Sequence, residues 1–138
     1  FDESLTRNQD YELNIRLRKA GGTEWFDPEL WVGYRPRGSL PAIARQYHGY
    51  GWWKARVLQL HPDSVRVRQI APLAVTAIIA ISLVGAARWR RLLLAPTAYL
   101  LLLASSCRGR ARQVAVLATM HLAWGTGFMR SFVRRRDG

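Results

Sequence analysis

From Ile70 to Ala87 the chain runs for 18 residues without a charged side chain, and no other feature restricts its fold so strongly. As a helix rising ~1.5 Å per residue, the run would extend roughly 27 Å, close to the ~30 Å hydrocarbon thickness of a bilayer. Two more runs without Arg, Lys, Asp or Glu follow, Leu92–Cys107 and Val114–Met129, each of 16 residues. They are short for a crossing unless flanking arginines reach back to the headgroups. Arginines do flank them: Arg88, Arg90 and Arg91, then Arg108, Arg110 and Arg112, then Arg130 and Arg134 to Arg136. Cations clustered at the ends of apolar runs form a membrane pattern. Residues 70–138 are therefore expected to hold two or three transmembrane helices, at about 70–87, 92–107 and 114–129.

The charge distribution supports that division and removes another class. The formal net charge of +12 would suit nucleic acid if it were spread over a soluble surface. Residues 1–69 carry only +3 of it, and 70–138 carry +9. The excess flanks apolar runs, so nucleic acid is excluded as a partner. Cys107 is the single cysteine, which leaves no internal disulfide and no metal-ligand spacing. No basic-then-apolar leader follows Phe1, so no signal peptide is expected.

Residues 1–69 read as an α/β piece. Asn8 is placed to cap a helix over about Gln9–Ala20, with Leu13, Leu17 and Ala20 on one stripe and Arg16, Arg18 and Lys19 near its C-terminal end. Gly21 and Gly22 end it. The following "TEWFDPELWVGY" alternates around Pro28, with Leu30, Val32 and Tyr34 on one side of an expected strand. After the loop "RPRGS", Ser39 and Pro41 begin another helix over about 40–60. Its interleaved Tyr47, Tyr50, Trp52, Trp53, Arg45, Lys54 and Arg56 suit a helix lying in a membrane interface.

Three separated stretches, "FDESLTRNQDYELNIRLRKAGG", "FDPELWVGYRPRGSL" and "RQYHGYGWWKARV", resemble in order and spacing the C-terminal part of bacterial family 2 glycosyltransferases. The resemblance is to the membrane-bound kind related to succinoglycan-type exopolysaccharide synthesis. It implies the C-terminal portion of a GT-A fold over 1–69, followed by the helical membrane region. It also implies inverting transfer of a sugar from a nucleotide-sugar donor to a lipid-linked or saccharide acceptor. Members carry an acidic pair before a helix; here the pair reads Gln9-Asp10, so Asp10 alone is the implied general base. A carboxylate at that place would take the acceptor hydroxyl proton, and the helix dipole favours its ionised form.

Processive members also carry a Q-x-x-R-W motif. Aligned on Gln46, its last two places are Gly49 and Tyr50, so the strict motif is not met. Arg35, Arg37 or Arg45 could serve a phosphate in its stead, Tyr47, Trp52 and Trp53 could stack on sugar faces, and Gln46 and Tyr50 are further candidate substrate-binding residues. The family's divalent cation, Mg or Mn, is implied to bind through an upstream motif, since no corresponding triplet of acids occurs in this chain. The resemblance places the protein at the cytoplasmic membrane, its soluble part toward the cytoplasm, with membrane lipids as further partners. The competing reading is a small non-enzymatic membrane protein in which Asp10 and the aromatics are structural. His121 is expected to bond a neighbouring helix, and Gly125 and Gly127 to allow close helix packing.

Overall fold

The computed structural model describes residues 1–134, the side chains at 67 and 68 excepted. Among them there are five α-helices: α1 (Gln9–Lys19), α2 (Leu40–Leu60), α3 (Val67–Gly85), α4 (Leu94–Ser106) and α5 (Ala111–Arg134). Short 3-10 turns lie at Pro62–Ser64 and Arg90–Leu93.

The expected α/β class is corrected: no strand occurs among the described residues. The stretch around Leu30, Val32 and Tyr34 has the right alternation, but a strand needs a neighbour to accept its backbone hydrogen bonds. With none present, residues 22–37 are irregular, and Trp25 and Trp31 are 91% and 89% exposed. The expected transmembrane helices are corrected as well, because no helix of the described residues is long and apolar enough to cross a membrane. The uncharged runs and the helices do not coincide. The helix bearing the first run stops at Gly85, so its uncharged part, 70–85, reaches only about 24 Å. The second run yields α4, 13 residues or about 20 Å. The third lies within α5, which also carries Arg112, Gln113, His121 and Arg130.

The two helices of the N-terminal half form where their end signals lie. Helix α1 closes with Gly21 at φ +80, whose neighbour Gly22 N–H donates to the Leu17 carbonyl at 2.9 Å. Asn8 precedes the helix at φ 62, but its side chain makes no cap; its amide nitrogen lies 3.5 Å from the Tyr50 carbonyl instead. Helix α2 spans the range expected for it, and its packing is internal: it runs along α5 as the most extensive helix pair.

That crossing is close enough to require glycine. A Cβ on Gly51 of α2 would stand 1.9 Å from the Trp124 carbonyl oxygen, and one on Gly127 of α5 would stand 2.0 Å from the His48 carbonyl oxygen. Gly125 meets α3 in the same way, against Thr76. The close packing expected of Gly125 and Gly127 is thus observed. Helix α1 is held on α2 by side chains, through a small core of Leu5, Ile15 and Val57 flanked by Tyr11 and Trp53.

Candidate functional site

The first turn of α1 sends its two acids to different places. Glu12 is buried and accepts from Arg16 Nε at 2.8 Å, and its Oε1 lies 2.9 Å from His61 Nε2, which ties α1 to the C-terminal end of α2. The Arg16 hydrogen bond holds its carboxyl below the usual range, against the opposing effect of burial and with help from His61. Asp10, two residues earlier, is exposed and makes no hydrogen bond or ion pair with any described residue. Gln9 turns back and donates through its amide nitrogen to the Leu5 carbonyl.

Asp10 lines a cavity of about 870 Å³ between α1, α2, the start of α3 and the middle of α5. Of the residues expected at the site, Arg37, Gln46, Tyr47 and Tyr50 line the same cavity. Gln46 Nε2 donates to the Tyr50 hydroxyl at 2.7 Å and lies 3.4 Å from the Tyr34 hydroxyl, which fastens the irregular segment to α2. Tyr47 and Tyr50 meet edge to face with ring centres 5.6 Å apart. Burial pushes the Tyr47 hydroxyl up, with Tyr50 and Tyr34 adding to the effect.

Three expected residues stand elsewhere. Arg45 borders a separate groove on the far side of α2, with His48 and Thr126. Trp53 packs on the Leu5–Ile15–Val57 core and borders a small cavity with Arg56. Arg35 lies in the irregular segment and lines none of the cavities described here.

The cavity is also lined by residues that sequence reasoning did not bring to the site: Arg7, Tyr11, Lys54, Gln69, His121 and Trp124. Lys54 is buried, with its ammonium 3.6 Å from the centre of the Tyr11 ring. Burial raises the Tyr11 hydroxyl, but the Lys54 and Gln69 hydrogen bonds and the Lys54 and Arg66 charges outweigh it and lower its pKa overall. His121 Nδ1 lies 3.1 Å from the Tyr99 hydroxyl of α4, the neighbouring-helix bond expected of it, and burial lowers its pKa. Tyr11 had a readable signal, since it adjoins Asp10. The contributions of α5 had none, because they depend on the glycine crossing.

Among the described residues of the lining, Asp10 is the only carboxylate, and Arg7, Arg37 and Lys54 are the cations. A cavity that combines one unengaged carboxylate, three cations and several tyrosines can accept a proton from a hydroxyl, neutralise a phosphate and offer flat rings to a sugar. Among the described residues, no group of three His, Cys, Asp or Glu could hold a metal ion.

Over 146 aligned residues, 99% of the chain, the sequence is 34% identical to the succinoglycan biosynthesis protein ExoA of Rhizobium meliloti (strain 1021). The chain spans 44% of the length of that relative. No protein-family model and no solved structure matches it.

Proposed function

We propose that the chain is the acceptor-side part of an inverting glycosyltransferase of exopolysaccharide synthesis, with Asp10 as the general base. The observation that carries this reading is that the only carboxylate among the described residues lining the large cavity makes no hydrogen bond or ion pair within the described chain, and that Arg7, Arg37 and Lys54 line the same cavity. The similarity to a succinoglycan biosynthesis protein supports it. An acceptor hydroxyl, lipid-linked or saccharide, loses its proton to Asp10 as its oxygen attacks the anomeric carbon of a nucleotide-sugar. The bond from that carbon to the diphosphate breaks on the opposite face, and the diphosphate leaves with the electron pair. Nearby cations stabilise charge developing on the leaving phosphate. Gln46 and Tyr50 hold the acceptor, with Tyr47 as a stacking surface.

The decisive variant is Asp10→Asn in the full-length enzyme. Transfer should fall by about 10²–10⁴-fold, the usual contribution of a positioned base, while nucleotide-sugar binding stays unchanged. Near-normal turnover would reduce Asp10 to a first-turn acid that favours the helix.

The same reading places the protein at the cytoplasmic face of the inner membrane, in contact with lipid through its surface. Supporting this, α3 and α4 expose Ile78, Ile81, Val84, Leu94, Leu101 and Leu102 beside the arginines at 88–91 and 108–112, a combination suited to an anionic bilayer. Flotation with vesicles containing phosphatidylglycerol, lost on Ile81→Asp with Leu101→Asp, is the test.

A further inference from the structure

Arg37 borders the cavity of Asp10 on one side and a second cavity, of about 760 Å³, on the other. This second space lies between the start of α2, the end of α4 and the first turns of α5. Leu40, Ile43, Val116 and Leu117 line it together with Cys107, which is 5% exposed. Arg112 joins Arg37 in the lining, and both arginines are exposed. Charge therefore stands toward solvent, with hydrocarbon further in.

Among the described residues these cations have no counter-ion. No carboxylate lines the cavity, and the sequence has no Asp or Glu between Glu29 and Asp63, or between Asp63 and Asp137. Every ion pair of the described residues involves α1, and none includes Arg37 or Arg112. A guanidinium pair over an apolar cavity of ordinary ligand size matches a molecule with a phosphate head and a hydrocarbon tail.

We propose that this second cavity binds a lipid phosphate, with Arg37 and Arg112 on the phosphate and the hydrocarbon chain along Ile43, Val116 and Leu117. Because Arg37 faces both cavities, the bound head stands next to the place where Asp10 acts. That last consequence rests on the glycosyltransferase reading; the binding itself does not.

The probe is farnesyl phosphate below its micellar concentration, with binding to the purified chain measured by equilibrium dialysis. Saturable binding is expected, weaker by about tenfold or more in R37Q/R112Q, as for the loss of a charge-assisted pair. I43W, which fills the tail path and leaves both arginines, should abolish it; far-UV circular dichroism checks that each variant keeps its helices. The chain's single cysteine reports location, since bound farnesyl phosphate should slow Cys107 alkylation by N-ethylmaleimide whereas inorganic phosphate should not. Displacement by dioleoyl phosphatidic acid would identify bilayer phospholipid as the source, and failure to displace would identify an isoprenoid phosphate. Equal affinity for farnesol, undiminished binding in both variants, or binding without protection of Cys107 would overturn the proposal. None of these readouts involves sugar transfer, so an inactive or active Asp10 leaves them unaffected.

Discussion

The segment around α1 and the assembly of α3 to α5 are built on opposite electrostatic principles. Eight of the nine acidic residues precede Gln69, and of the four ion pairs among the described residues one lies within α1 and three join α1 to its neighbours. From α3 to the end of α5 the described chain has no acid at all, its arginines from Arg88 onward are exposed, and many of its apolar residues are exposed too. The first region pairs Glu12, Glu24 and Asp63 with its own cations and leaves Asp10 open. The second leaves both charge and hydrocarbon for something external. The large cavity lies where these two regions meet, through α2.

The largest effect should come from separating the two acids of α1's first turn. Asp10→Asn is expected to abolish most transfer, by the two to four orders of magnitude given above, without moving the urea midpoint. Glu12→Gln should do the converse, leaving the cavity residues in place and lowering stability by about 1–3 kcal/mol through loss of a buried, charge-assisted acceptor. If both variants behave alike, the contrast between a free and an engaged carboxylate is wrong.

Next in size is the crossing that joins the regions. Gly51→Ala forces a methyl against the Trp124 carbonyl, an overpacking that costs about 1–3 kcal/mol in well-packed interiors. Thermal melting of the variant measures it, and an unchanged transition would mean that α2 and α5 are less closely held than described.

Acid should sharpen the comparison further. Because the Glu12 pKa is lowered by Arg16 and His61 in the folded state, its stabilisation is present above the unfolded carboxyl value of 4.5. It is lost as pH falls through the lower folded value. Urea midpoints should therefore decline on acidification in the native chain, and less so in Glu12→Gln. The smallest effect is expected at the Lys19–Asp63 pair, 2.8 Å long with both side chains exposed, where Lys19→Met should leave the midpoint within error.

What the sequence disclosed was what local chemistry determines. Helix α1 is bounded by its glycines, and α2 is begun by Ser39 and Pro41. Five of the eight expected site residues do share one cavity, because Asp10, Gln46, Tyr47 and Tyr50 lie near each other on two helices, with Arg37 at the approach to α2. The strand failed because alternation states which side chains share a face and supplies no partner backbone. The spans failed because an uncharged run does not set the length of a helix: Gly85 and the turns at 86–93 interrupt the apolar stretch. Lys54, His121 and Trp124 were invisible as site residues since their convergence is produced by glycines 51 and 127 at a crossing 76 positions apart in the chain.

The back-turned amide of Gln9 has a consequence for how the entrance to α1 is held. Only a donor can clasp the Leu5 carbonyl, so an ionised glutamate at position 9 would point one lone-pair-bearing oxygen at another. The turn would have to open, and the buried Leu5 anchor would be loosened with it. An amide there keeps that latch closed at every pH, so the setting of the neighbouring aspartate is insulated from proton traffic one residue away.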